Sequence, residues 1–256
     1  MIPATSVSPA RRFDGRGGFT LPDAEYTVRD QQRMTRAKRY FDWQHQWARR
    51  QLGKRVIEVG CGLGNFTQWL TSLDCVVCID VEPACVDLHK ARFEPAGNIH
   101  TFYLDILDER VLELRRFEPD SIVCLNVLEH VSDHRRALEH MHALLPPGGK
   151  AVFIVPAFEA LYGPIDYKLG HYRRYSKKDW RSLAAETGFR TIACRYMNSV
   201  GFFGWWMNAK VLKKQEQSEG QIAVFDKLIV PVLSRVESVF QPPVGQSLFC
   251  VISRNA

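Results

Sequence analysis

The sequence predicts an α/β protein built on a doubly wound, mostly parallel sheet. Three observations carry that reading. Short apolar runs alternate with segments of helical period, the order that covers a parallel sheet on both faces. The runs are apolar throughout rather than at every second residue, as strands buried on both faces are. The first of them ends in a glycine-rich turn, Val59-Gly60-Cys61-Gly62-Leu63-Gly64. A chain of 256 residues, 46% hydrophobic and 24% charged, has an ordinary globular composition and is long enough for one sizeable core. Collagen-like, fibrous and disordered classes are thereby excluded.

Residues 1–22 mix Pro, Gly, Ser and Arg without period and read as a loose arm. Residues 24–52 read as one helix, with Tyr40, Trp43 and Trp47 at three- and four-residue steps. A strand over 56–59 leads into the glycines, which open a helix over 65–73. A second strand covers 76–79, and a helix over 83–93 begins with Pro83 in its first turn. Strands follow at 99–104 and 121–125. A helix over 133–145 is stopped by Pro146-Pro147-Gly148-Gly149, and a fifth strand covers 151–155. Residues 177–187 read as a helix ending at Gly188, and 190–196 as a strand. Residues 198–243 read as a helical insertion, with Phe202, Phe203, Trp205 and Trp206 close together and helical spacing over 222–240. Residues 247–253 return as the last strand.

Seven cysteines are an odd number in a chain too long to need a disulfide framework. Cys75-Val-Val-Cys78 has the spacing of a metal or redox pair, but no second pair follows, and these read as buried thiols. A reduced, cytoplasmic setting is the simplest one. No run approaches the ~20 apolar residues of a bilayer span, and no secretory signal is expected. The formal charge of +6 sits at the front: the first 55 residues hold twelve Lys and Arg against five Asp and Glu, and the remainder is close to neutral. A basic helix face accounts for this, and no nucleic-acid partner is expected.

Ligands of such sheets bind at the carboxyl ends of the strands. Gly60, Gly62 and Gly64 let the backbone approach a ligand and aim amide groups at it. Asp80, with Val81 beside it, ends the second strand, where an acid accepts from both hydroxyls of a ribose. Asp105 follows the third strand, placed to accept from an adenine amine with Ile106 against the ring. Asn126 follows the fourth. Glu58 is an unusual carboxylate inside a strand and needs partners if buried; it anchors the glycine loop or meets the ligand's ammonium through water.

These motifs in order, with Leu-Asn-Val-Leu-Glu-His-Val over 125–131 and Leu-Pro-Pro-Gly-Gly over 145–149, resemble the class I S-adenosylmethionine-dependent methyltransferases over residues 54–156. The later segment is similar to a bacterial small-molecule group, often called type 11 or 12, in His171-Tyr-Arg-Arg-Tyr-Ser176, the insertion, and Pro243-Val-Gly-Gln-Ser-Leu248. The resemblance implies a Rossmann-like methyltransferase fold: seven strands, the last antiparallel, with an N-terminal helical arm. It implies S-adenosyl-L-methionine as cofactor, its methionine part on Gly60, Gly62 and Gly64, its ribose on Asp80 and its adenine on Asp105 and Ile106. Quinone-biosynthesis O-methyltransferases also carry the Glu-His pair, and some hold a metal on Glu, Glu and His; Asn126 stands here in place of the first Glu, and no metal is expected.

The expectation is methyl transfer to carbon, nitrogen or oxygen of a small aromatic or heteroaromatic metabolite in secondary metabolism. The candidate bases are His130, Asp166 and His171, each also readable as structural. Tyr26, Tyr167, Trp205 and Trp206 are candidate acceptor contacts. The arm and first helix (1–52) and the insertion would close over the acceptor, with 53–256 the methyltransferase domain. Alternatives are an RNA, protein or lipid-like quinone-precursor acceptor. The aromatic cluster over 202–207 is open between a homodimer, a lipid surface and the pocket.

Overall fold

The computed structural model describes residues 24–212 and 218–255, with a two-residue antiparallel ribbon of Arg12–Phe13 and Phe19–Thr20. Side chains before residue 28, and that of residue 30, lie outside the described ones, as does most of the expected loose arm. The sheet has seven strands: β1 (Arg55–Val59), β2 (Cys75–Asp80), β3 (Ile99–Tyr103), β4 (Ser121–Leu125), β5 (Lys150–Pro156), β6 (Phe189–Met197) and β7 (Ser247–Arg254). Their order is β3-β2-β1-β4-β5-β7-β6, with β7 antiparallel to both neighbours. The chain starts at β1, steps outward to β3, then returns to β4 on the other side. The switch point therefore lies between β1 and β4, where the carboxyl ends of two parallel strands diverge into different crossovers.

The uninterrupted apolar runs are buried on both faces, as their composition requires. On one face Ile57, Ile122 and Phe153 pack against α4 (His134–Leu144) and α6 (Lys177–Glu186). On the other, Val56, Val123 and Val251 meet α2 (Lys38–Ala48), through Trp43 and Trp47, and Leu233 of the insertion. Cys75 and Cys78 are buried on opposite faces of β2, so their spacing makes no metal pair.

Two expectations fail locally. The helix expected over 24–52 is two, α1 (Ala24–Met34) and α2. Thr35 bonds its hydroxyl back to the Gln32 carbonyl, and the chain turns before Ala37. The helix expected over 65–73 is only a 3-10 turn, Thr67–Trp69. The segment closes instead through i→i−3 bonds, Trp69 N to the Phe66 carbonyl, Leu70 N to that of Thr67 and Leu73 N to that of Leu70, and Asn98 Nδ2 donates to the end carbonyls of Thr71 and Leu73. The remaining α-helices are α3 (Pro83–Phe93), α5 (Pro164–Leu169) and the insertion; α5 and a 3-10 helix over Glu109–Phe117 were not part of the sequence reading. The insertion comprises α7 (Ser199–Trp206), extended by a π-turn to Val211, then α8 (Glu219–Val224), another π-turn, and α9 (Val230–Val239).

Candidate active site

A cavity of about 1590 Å³ opens at the carboxyl edge of the sheet. A site for one small ligand commonly measures roughly 300–1,000 Å³, so this one has room for two. One end is formed by the tips of β1, β2 and β3, the other by the tips of β4 and β5 with His171, Tyr172, Arg174 and Trp205; α1, α2 and the insertion supply the roof through Gln31, Tyr40, Phe203 and Phe225.

At the first end, Gly60, Gly62 and Gly64 have φ of +74°, +52° and +79°, conformations that a residue with a Cβ adopts only under strain. A Cβ at Gly60 would also strike Val127, and one at Gly64 the Phe93 ring. Asp80 holds this loop: one carboxylate oxygen accepts from Gly62 N at 2.7 Å, the other from Glu82 N at 2.9 Å. Burial raises its pKa above the usual carboxylate range, against the lowering by those N–H groups. α1 closes the loop from above, Gln31 Oε1 accepting from Leu63 N at 2.8 Å. No pattern in the sequence marked Gln31.

Glu58 is buried beneath the loop and accepts from the Thr67 hydroxyl at 2.7 Å. Thr67 in turn bonds His89 Nε2 at 2.9 Å, and His89 Nδ1 bonds the Thr101 hydroxyl at 2.8 Å. Burial pushes the Glu58 carboxyl up to about 8 and His89 down to about 4, so both are neutral near pH 7. With Cys78, Glu58 and His89 have donor atoms close enough for a metal, but the Thr67 hydroxyl already bridges the two in a closed hydrogen-bond chain. Asp105 accepts from Leu107 N at 2.9 Å, and burial raises its pKa. Ile106 is buried beside it, while Val81 is half exposed. Asn126 sits at φ +54°, its N–H bonded to the Ile154 carbonyl, and faces the cavity.

At the other end the fold brings together groups far apart in sequence. The turn after β4 presents Glu129 and His130, and the loop after α5 presents His171. Tyr172 N donates to the Glu129 carbonyl, locking the two loops together. The His130 and His171 rings meet edge to face, centroids 4.6 Å apart. His171 Nδ1 pairs with Asp166 Oδ1 at 2.8 Å; that buried carboxylate also accepts from Arg174 Nε at 2.9 Å and Gly163 N at 3.0 Å. Burial alone would raise Asp166, but His171 and Arg174 hold it below the usual carboxylate range. Glu129 is buried with Oε2 lacking a hydrogen-bond partner, and burial pushes its carboxyl up to about 8. The Glu-His pair in the sequence was the signal that could have singled out Glu129.

The acceptor contacts divide. Trp205 lines the cavity, and the Arg174 guanidinium lies 5.0 Å over its ring. Trp206, the next residue on α7, is about 100° further round the helix and lies exposed outside the cavity. Tyr167 is half exposed on α5 and lines a separate small pocket with Tyr162 and Lys168. The side chain of Tyr26 lies outside the described residues.

A family model described as a methyltransferase domain matches residues 31–193, most of the chain. The chain belongs to that family. Its structural neighbours include the N-methyltransferase NodS of Bradyrhizobium japonicum, solved with S-adenosyl-L-homocysteine, at 18% identity and TM-score 0.58, covering 91% of this chain and 97% of that one. That likeness shows a shared fold, the Rossmann-like fold of class I S-adenosylmethionine-dependent methyltransferases. A ubiquinone biosynthesis O-methyltransferase of Coxiella burnetii is 31% identical over 102 residues, 40% of this chain and 43% of that protein. A malonyl-[acyl-carrier protein] O-methyltransferase of a Paenibacillus species is 26% identical over 164 residues, 55% and 57%. The matches thus span about half of these relatives' lengths. The left-handed glycine cradle and the acids at the tips of β2 and β3 fit the family's donor, S-adenosyl-L-methionine.

Proposed function

We propose that this protein transfers a methyl group from S-adenosyl-L-methionine to an oxygen of a small, largely apolar aromatic acceptor. The observation that carries the choice of oxygen is the Asp166–His171 pair, a positioned base on the cavity wall away from the glycine loop. A base is needed where the acceptor atom holds a proton of high pKa, as a hydroxyl does. The relatives named above for O-methylation support the same choice.

When bound, the cofactor supplies an electrophilic methyl group on a sulfonium. The glycine loop, Asp80, Asp105 and Ile106 would hold it, and α1, α2 and the insertion would shield it from bulk water. The acceptor lies between that end and the histidines. Asp166 accepts from His171 Nδ1, which fixes the tautomer and leaves Nε2 as the ring's basic nitrogen. Nε2 takes the hydroxyl proton as the oxygen gains the methyl group, and Asp166 stabilises the resulting imidazolium. Such a base is worth about 10²–10⁴ in rate.

A second reading rests on Glu129, His130 and His171, whose donor atoms all lie within 4.8 Å of one another, with one Glu129 oxygen buried and unpartnered. This set fits a divalent cation as Lewis acid, with Asp166 orienting His171. Incubation with methyl-labelled cofactor and matched phenols, anilines and indoles tests the choice of oxygen: labelled methyl ethers are expected, and label only on nitrogen or carbon overturns it. Activity that survives exhaustive chelation favours the base; activity lost and restored by a divalent cation favours the metal.

A further inference from the structure

The insertion carries most of the large apolar side chains that stand exposed among the described residues. On its return limb, Val224, Leu228, Val232 and Val236 are exposed at four-residue steps, with Val239 and Phe240 beyond them. The opposite stripe, Ile222, Asp226, Val230, Leu233 and Glu237, is buried. On the outgoing limb Phe203, Met207 and Val211 are exposed in the same four-residue rhythm. Both limbs are therefore helices with an apolar face turned to the outside.

The charges are sorted too. The acids Asp226 and Glu237 are turned inward: Asp226 accepts from Tyr40 N at 2.8 Å, and Glu237 accepts from Asn198 N and from the Ser199 amide and hydroxyl at the start of α7. Glu219 is paired with Arg36. Lys210, Lys227 and Arg235 are exposed on the same limbs. Among the described residues the outer surface is thus apolar with a basic border, two of its acids turned inward and the exposed Glu219 paired with Arg36. On the outgoing limb it is also continuous with the cavity, because Val200, Phe203, Met207 and Leu212 line the cavity and are themselves exposed.

We propose that this face docks on an anionic lipid bilayer, with the cavity mouth against it, and that the acceptor enters from the lipid. Apolar side chains flanked by Lys and Arg, with no membrane-crossing helix among the described residues, are the pattern of a segment lying in the interface. The continuity of rim and cavity gives an apolar acceptor a path that never crosses water. A second copy is a poorer occupant: a two-fold interface sets the face against itself, so that one basic border meets another. The docking stands on the surface alone, while the route of the acceptor rests on the proposed function.

Flotation of the full chain with vesicles tests this, using equal parts of phosphatidylglycerol and phosphatidylcholine against phosphatidylcholine alone. Calorimetric binding of S-adenosylhomocysteine monitors the fold. The protein is expected to float with the anionic vesicles and to be released by salt. Leu228→Glu with Val232→Glu, neither residue lining the cavity, should cut vesicle binding at least about tenfold with the homocysteine nucleoside bound as before. Should that variant fail to fold, Lys227→Glu with Arg235→Glu carries the same test through the charges. A wild type that stays with neither vesicle, or variants that float as well as it does, overturns the docking. So does a dimer in sedimentation velocity that the apolar double variant dissociates, which would give the face to a second copy. Failure to methylate any oxygen acceptor sinks the proposed function and the acceptor's route without altering flotation.

Discussion

Asp166→Asn is the substitution with the most to reveal about the acceptor end. The carboxylate is fully buried and accepts from His171, from Arg174 and from Gly163 N. Arg174, whose guanidinium it holds, is itself only 5% exposed. Removing one partner of a buried ion pair leaves the other uncompensated, at about 3–5 kcal/mol. Two features pull toward the lower figure: Arg174 keeps its bond to the Ala157 carbonyl at 3.1 Å, and its charge already works against the burial that raises the nearby Glu129 carboxyl. A loss of about 3 kcal/mol corresponds, for a chain of this size, to a Tm lower by about 10 °C. Urea denaturation and thermal melts of both proteins read it. Homocysteine-nucleoside binding should persist, since Asp166 lies at the other end of the cavity. A loss below about 1 kcal/mol would refute the view that Asp166 neutralises a desolvated Arg174.

Other consequences follow from the same geometry. His171→Asn should lower kcat by about 10²–10⁴ while leaving the cofactor's Kd unchanged; an equal loss in cofactor affinity would place His171 elsewhere in the chemistry. Gly64→Ala forces a Cβ into a left-handed backbone against the Phe93 ring, and should cost roughly 2–5 kcal/mol of stability, read by urea melts. Glu58 and Glu129 both have carboxyls raised by burial to about 8, from about 4.5 when exposed. The stability that each contributes as a neutral acid is complete below its unfolded pKa and is lost as pH climbs toward 8. His89 and His134, both held down to about 4 by burial, oppose this below the usual histidine range, so the Tm of the ligand-free protein should fall between about pH 6.5 and pH 8, and Glu129→Gln should flatten the fall. A Tm that rises across that window contradicts the burial of either group as a neutral acid.

The strands were legible because a parallel strand covered on both faces must be apolar throughout, and β1, β2, β4 and β5 each carry such a run. The cofactor end was legible for a related reason. Its parts lie at strand tips in fixed order, so chain position gives spatial position for Gly60 to Gly64, Asp80 and Asp105. The acceptor end obeys no such rule. His130 and His171 meet because the loop after α5 folds back and bonds the turn after β4 through Tyr172 N, a long-range contact without period or motif. Trp205 and Trp206 show the limit of composition: two adjacent tryptophans, one on the cavity and one on the outside, separated only by helical rotation. Over 65–73 the helical spacing was present, but the segment closes through i→i−3 bonds into 3-10 turns, which share that spacing over so short a stretch.

The central claim is that the glycine cradle and the strand-tip acids hold the donor while His130 and His171 face the acceptor across one cavity. A crystal grown with S-adenosylhomocysteine addresses it most directly. The account predicts the nucleoside's methionine part along Gly60 to Gly64, its ribose at Asp80 and its adenine at Asp105 and Ile106, with open space remaining before His171. Density for the nucleoside at the histidine end, or none in the cavity at all, would contradict it.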